Sequence, residues 1–152
     1  MNITPQIAKR LRDVYFGKNW TSVNLKDSLA GVTWQQATTK LHEFNTIATL
    51  VYHLSYYVSA VTKVLEGEAL NAKDAYSFDH QPIQSEADWE GMLAKVWADA
   101  ECFAALIEKL PDEKLGDDFS DSKYGSYYRN LNGIIEHIHY HLGQIVLIKK
   151  LL

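Results

Sequence analysis

Apolar residues recur at helical spacing in four stretches of this chain, and the last stretch is the most regular. In residues 133–152 (GIIEHIHYHLGQIVLIKKLL), about 100° of rotation per residue sets Ile134, Ile138, Ile145, Ile148 and Leu152 on one stripe. His141 falls inside that stripe, and His137, one turn earlier, lies at its edge beside Gln144. Glu136, His139 and Lys150 point the other way. The helix carrying this pattern is expected over residues 127–152.

The other three stripes are read in the same way. A first helix is expected over 4–16, with Thr4 as N-cap, Pro5 in the first turn, and Ile7, Leu11, Val14 and Tyr15 buried; Gly17 ends it. A second, over 45–66, carries Ile47, Leu50, Leu54, Val58, Val61 and Leu65, and stops at Gly67. His53 sits on the flank of this stripe, between Thr49 and Tyr57. A third, over 85–110, has Ser85 as its cap and Asp88 as a weaker form of the capping-box acid. Trp89, Leu93, Val96, Ala100, Phe103, Ile107 and Leu110 form its stripe, and Pro111 marks the exit.

Between the first and second helices, two short helical turns are expected, over 25–29 and after Thr33. Trp20 and Trp34 read there as packing anchors. The connection from 67 to 85 is long for neighbouring helices, which usually join through about 2–8 residues, and suits a crossover. Its Tyr76, Phe78 and Pro82 indicate an ordered loop. Residues 112–126 read as an acidic, solvated loop, from which a carboxylate could visit a metal. The sum is an all-α chain of four amphipathic helices around one core.

Composition narrows the function. With 152 residues, 47% hydrophobic and 22% charged, a single globular domain over 1–152 is expected. The net charge is −4 and no Lys/Arg block occurs, so no nucleic-acid partner is expected. No apolar run approaches the roughly 18 residues of a membrane span, and MNITPQIAKRLRD lacks a signal peptide's apolar core. A single cysteine, Cys102, excludes an internal disulfide. A cytoplasmic location without a membrane partner follows as the expectation, with Cys102 packed inertly in the third helix.

The candidate chemistry is in the histidines. An i, i+4 pair on one helix face lets both nitrogens reach one ion. With six histidines such a pair also arises by chance, and a core histidine is often satisfied by a hydroxyl or a carbonyl. His53, on another helix, is a third donor at a core flank. Spacing and periodicity leave both readings open. His42, His80 and His139 are expected at the surface, although the loop bearing His80 could fold back over the end of the bundle. Gln144 is read either as a partner orienting a ligand or as a packing residue. Gly143, in mid-helix, suggests close approach of another helix or subunit.

Two segments carry a resemblance to a known family. They are FNTIATLVYHLSYYVSAV around His53 and IIEHIHYHLGQIVLIKKLL around His137 and His141. The second is similar to the HxxxHxGQI signature of the DinB-like (YfiT-like) superfamily, read here as His137, His141, Gly143, Gln144 and Ile145. The resemblance extends over nearly the whole chain. It implies a four-helix bundle in up-down-down-up order, with the long crossover between the second and third long helices. It implies that His53, His137 and His141 bind a divalent ion, commonly zinc or nickel, and that the chain forms a homodimer. The second helix, apolar around most of its circumference with Val51, Tyr56 and Val64 off the main stripe, is expected to offer a face for that dimer. Relatives include transferases and isomerases that use low-molecular-weight thiols such as bacillithiol, mycothiol or glutathione.

Two functions follow as expectations. In the first, the three-histidine site activates water or a thiol against a small electrophile, as a hydrolase or thiol S-transferase acting on a small-molecule substrate. In the second, the metal only stabilises a stress-associated bundle without catalysis. No general base stands out: Glu136 points away, and Glu101 sits on the margin of the third helix. No cluster of basic residues marks a thiol seat. Arg129 is the one arginine outside the first helix and is expected to be solvated or ion-paired.

Overall fold

The computed structural model describes residues 2–152. It contains α1 (Ile3–Tyr15), α2 (Leu25–Leu29), α3 (Trp34–Thr38), α4 (Ile47–Leu65), α5 (Glu86–Lys109) and α6 (Tyr127–Leu151). Short 3₁₀ turns occupy Asp74–Tyr76, Asp112–Gly116 and Ser122–Tyr124. No strand occurs among the described residues; one isolated bridge pairs Asp118 with Ser126. The all-α expectation holds, and each long helix ends within two residues of its expected limits.

Hydroxyl caps start three of the four long helices. Thr46 accepts from the Thr49 amide at α4, Ser85 from Asp88 at α5, and Ser126 from Arg129 at α6. Asp88 accepts from the amide of Gln84, one residue before the cap, rather than from Ser85 itself as a capping-box acid would. The first helix departs from expectation. Thr4 is not the N-cap but lies inside α1, buried, donating its hydroxyl to the Leu110 carbonyl. The orphan amides of Ile3 and Thr4 are taken by the Asp112 carboxylate at 2.7 and 2.9 Å. These bonds hold Asp112 below the usual carboxylate range. Part of the acidic loop is therefore structural.

α1 and α4 each pack against both α5 and α6, which encloses the core. Tyr15, Leu54, Trp89, Phe103 and Ile138 are buried there. Fully burying one aliphatic or Phe side chain contributes about 1.5–3 kcal/mol, so the stripes dominate the stability. The Trp89 indole N–H donates to the Val32 carbonyl at 2.8 Å, so its polar atom is satisfied in the core.

Several expectations fail for identifiable reasons. Trp20 is 100% exposed at the tip of the loop after α1, and anchors nothing. Trp34 does pack against the core. Cys102 is exposed on α5 rather than packed, because it lies outside the Phe103 stripe. Leu152 lies past the last turn of α6 and is exposed. Val51 and Val64 lie off the main stripe of α4 but are buried within the chain, since α4 has neighbours on several sides. No helix among the described residues is long and apolar enough to cross a membrane.

Candidate metal centre

The site forms where α4 faces α6. His53 projects from α4, and His137 and His141, one turn apart, project from α6. Ring nitrogens of all three lie within 4.8 Å of one another. His53 Nε2 and His137 Nε2 are 3.0 Å apart. His53 and His141 are buried, at 4% and 8% exposure, and His137 is half-buried.

Each of the two buried rings is held from behind. Ser77 Oγ lies 2.9 Å from His53 Nδ1, and its own hydrogen goes to the Asp74 carbonyl at 2.7 Å. The hydroxyl oxygen must then accept from His53 Nδ1–H, which leaves the lone pair on Nε2. Gln144 Oε1 accepts from His141 Nδ1–H at 2.6 Å and aims that ring's Nε2 inward by the same logic. Phe78 stacks on the His53 ring at 4.2 Å and 14°, closing its outer face.

Burial keeps these imidazoles neutral. Desolvation, with the neighbouring His141 and His53, pushes His137 down to about 4. His53 is lowered by burial and by His141, and His141 by burial alone. Neutral imidazole is the form that ligates a metal.

The donor set fits a divalent ion. Nitrogen–metal bonds of about 2.0–2.1 Å place two ligands roughly 3.3 Å apart at a tetrahedral angle, close to the observed His53–His137 pair. Facing lone pairs at 3.0 Å repel, and either a hydrogen on His137 Nε2 or a cation between the rings relieves that repulsion. Among the described residues no cysteine or carboxylate joins the group, so the set is three neutral nitrogens. Zinc and nickel both accept imidazole donors.

No family model, curated protein or solved structure matches this chain. The reading of the site rests on its geometry.

A cleft of about 340 Å³ opens at the histidines, walled by His53, Tyr57, Asp74, Ile134 and His137. Tyr57 packs its ring on His53 and His137 at 5.1 and 5.3 Å and donates its hydroxyl to Asp74 Oδ1 at 2.8 Å. Burial and the Asp74 bond raise the phenol above its usual value. Tyr57 thus walls the cleft, and Trp34 does not line it.

The remaining candidates separate clearly. His42 is exposed. His80 does fold back, bonding Thr49 Oγ1 at 3.1 Å and the Gln81 carbonyl at 2.7 Å, but stays outside the cluster. His139 is half-buried rather than fully exposed, and lines another cavity with Thr21 and Val23. Among the described residues nothing approaches Gly143 closely enough to meet an added Cβ. Glu101 pairs with Arg12 on α1.

Sequence reasoning missed Asp74, Ser77 and Phe78. The carboxylate at the cleft comes from the crossover loop, not from 112–126. The only signal was the aromatic content of that loop, which marked it as ordered.

Proposed function

We propose that this chain is a divalent-metal-dependent enzyme of the DinB-like kind, a hydrolase or thiol S-transferase acting on a small electrophile. The observation that carries the proposal is the convergence of three neutral imidazoles, two of them locked by Ser77 and Gln144 with Nε2 inward. The four long helices, with their long crossover between α4 and α5, support the up-down-down-up bundle of that family.

His53, His137 and His141 hold the ion, zinc or nickel by ligand type. A bound divalent ion supplies the acidity that turns water or a thiol into a nucleophile near neutral pH. The chain's own residues do the rest. Phe78 and Tyr57 exclude water from the His53 side. Asp74 Oδ1, already an acceptor for the Tyr57 hydroxyl, is the carboxylate placed to take a proton at the cleft. This pair fills the general-base position for which the sequence showed no candidate.

The homodimer belongs to the same proposal. Tyr140, Leu147 and Leu151 of α6 are 57–65% exposed, which supports a helix face available to a second copy. A dimer mass by light scattering is expected, and a monomer at micromolar concentration counts against it.

The deciding experiment removes the metal and screens hydrolysis and thiol transfer before and after. Loss of activity with helical circular dichroism retained supports catalysis. Metal binding without turnover of any thiol or ester leaves a bundle stabilised by its ion.

A further inference from the structure

A second cavity, of about 570 Å³, adjoins the histidine cleft and shares Tyr57 and Ile134 with it. Its volume lies in the range of small-molecule sites, roughly 300–1,000 Å³. Val61, Leu70, Phe119 and Ile134 make an apolar surface. Lys123 and Arg129 line it as well, and Glu136 is the one acid among its lining residues. Two cations against one acid leave a single positive charge.

Arg129 has no carboxylate partner among the described residues, whereas Arg12 pairs with Glu101 and Glu108. Its guanidinium makes one hydrogen bond among the described residues, to the Tyr124 carbonyl at a long 3.4 Å. The loop is shaped around it. Gly125 has φ +76°, and a Cβ there would meet Arg129 Cδ at 3.1 Å. Lys123 reaches Asp121 only at 3.6 Å and lies over the Tyr124 ring. Asp74 stands in the wall of the histidine cleft and is not part of this second cavity. An anionic head is repelled from Asp74 and drawn to Arg129, so Asp74 at one end and the two cations at the other give a ligand one orientation.

We propose that this cavity seats a small organic monocarboxylate with an apolar or aromatic body. The carboxylate lies on Arg129, assisted by Lys123, where a guanidinium can take both oxygens. The body rests on Val61, Leu70 and Phe119, and the far end reaches Tyr57 beside His137. The substrate class rests on the enzyme proposed above, but the carboxylate seat itself stands without the metal.

The test uses 4-phenylbutyrate and its primary amide, titrated calorimetrically into the full chain, metal-free and zinc-loaded. The acid is expected to bind at least about 10-fold tighter than the amide in both forms. Arg129→Gln should remove that preference and leave amide binding unchanged, Arg129→Lys should recover part of it, and Lys123→Gln should weaken the acid roughly 3-fold. His141→Ala should bind the acid as the wild type does. Equal affinity for acid and amide, an unaffected Arg129→Gln, or binding only when zinc and all three histidines are present would overturn the proposal. A separate zinc titration keeps the two readings apart. If zinc fails to bind while the acid preference persists, the enzyme reading falls and the carboxylate seat stands.

Discussion

Ser77 and His53 lie 24 residues apart, on a loop and a helix, yet Ser77 Oγ sits 2.9 Å from His53 Nδ1. Ser77 is fully buried by the crossover that carries it. The contact decides which nitrogen of His53 faces His137 and His141. A partner that fixes a ligand's tautomer typically contributes 10–100-fold to metal affinity.

Ser77→Ala and Gln144→Ala are therefore each expected to weaken zinc binding roughly 10- to 100-fold, with helical content unchanged. Competition against a chromophoric chelator measures this directly. Zinc affinities equal to the wild type in both variants would mean that these residues do not orient the ligands.

The metal-free protein should lose stability in acid, with a sign set by burial. Folded His137 titrates near 4, and His53 and His141 are also lowered, whereas all three titrate near 6.5 in the unfolded chain. Below about 6.5 the unfolded state binds more protons than the folded one. Stability is then complete above that value and falls as pH drops toward about 4. Urea unfolding of the metal-free chain at pH 7.5 and pH 5 should differ by on the order of 1–3 kcal/mol, and His137→Gln should reduce the difference. A stability indifferent to pH across that window would contradict the neutral, buried trio.

Metal affinity should weaken only in more acid solution, because protons compete for the same nitrogens once pH approaches the lowered folded-state values. Zinc titrations at pH 7.5, 6.5 and 4.5 are expected to give similar affinity at the first two and a weaker one at the last. A steep loss already between pH 7.5 and 6.5 would contradict the neutral, buried trio.

Asp112→Ala should lower the melting temperature by roughly 2–6 °C, the range that a lost helix cap produces in a chain of this size. The variant leaves the Ile3 and Thr4 amides without a protein acceptor, while the histidine site lies elsewhere and should keep its zinc affinity. An unchanged melting temperature would show that water replaces the carboxylate without cost.

The parts of the fold visible in the sequence were those encoded locally. Ser85 with Asp88, the 3.6-residue stripes and Gly67 each act over a few residues, so the helix limits could be read directly. His141 was legible because an imidazole interrupts an aliphatic stripe, and His53 because it flanks one. Residues that work across long separations were not legible. Asp112 caps a helix more than a hundred residues away, and no local pattern announces that. Ser77 and Asp74 reach the site only through the path of the crossover. Trp20 and Cys102 were misplaced because side-chain type is a weak guide to burial at loop tips and stripe margins.

The central claim is that His53, His137 and His141 together bind one divalent ion. Elemental analysis of untagged protein, after equilibration with zinc or nickel and desalting, tests it most directly when wild type, His141→Ala and His139→Ala are compared. The expected result is about one ion per chain in the wild type and in His139→Ala, and none in His141→Ala. Equal metal content in the two variants, or none in the wild type, would contradict it.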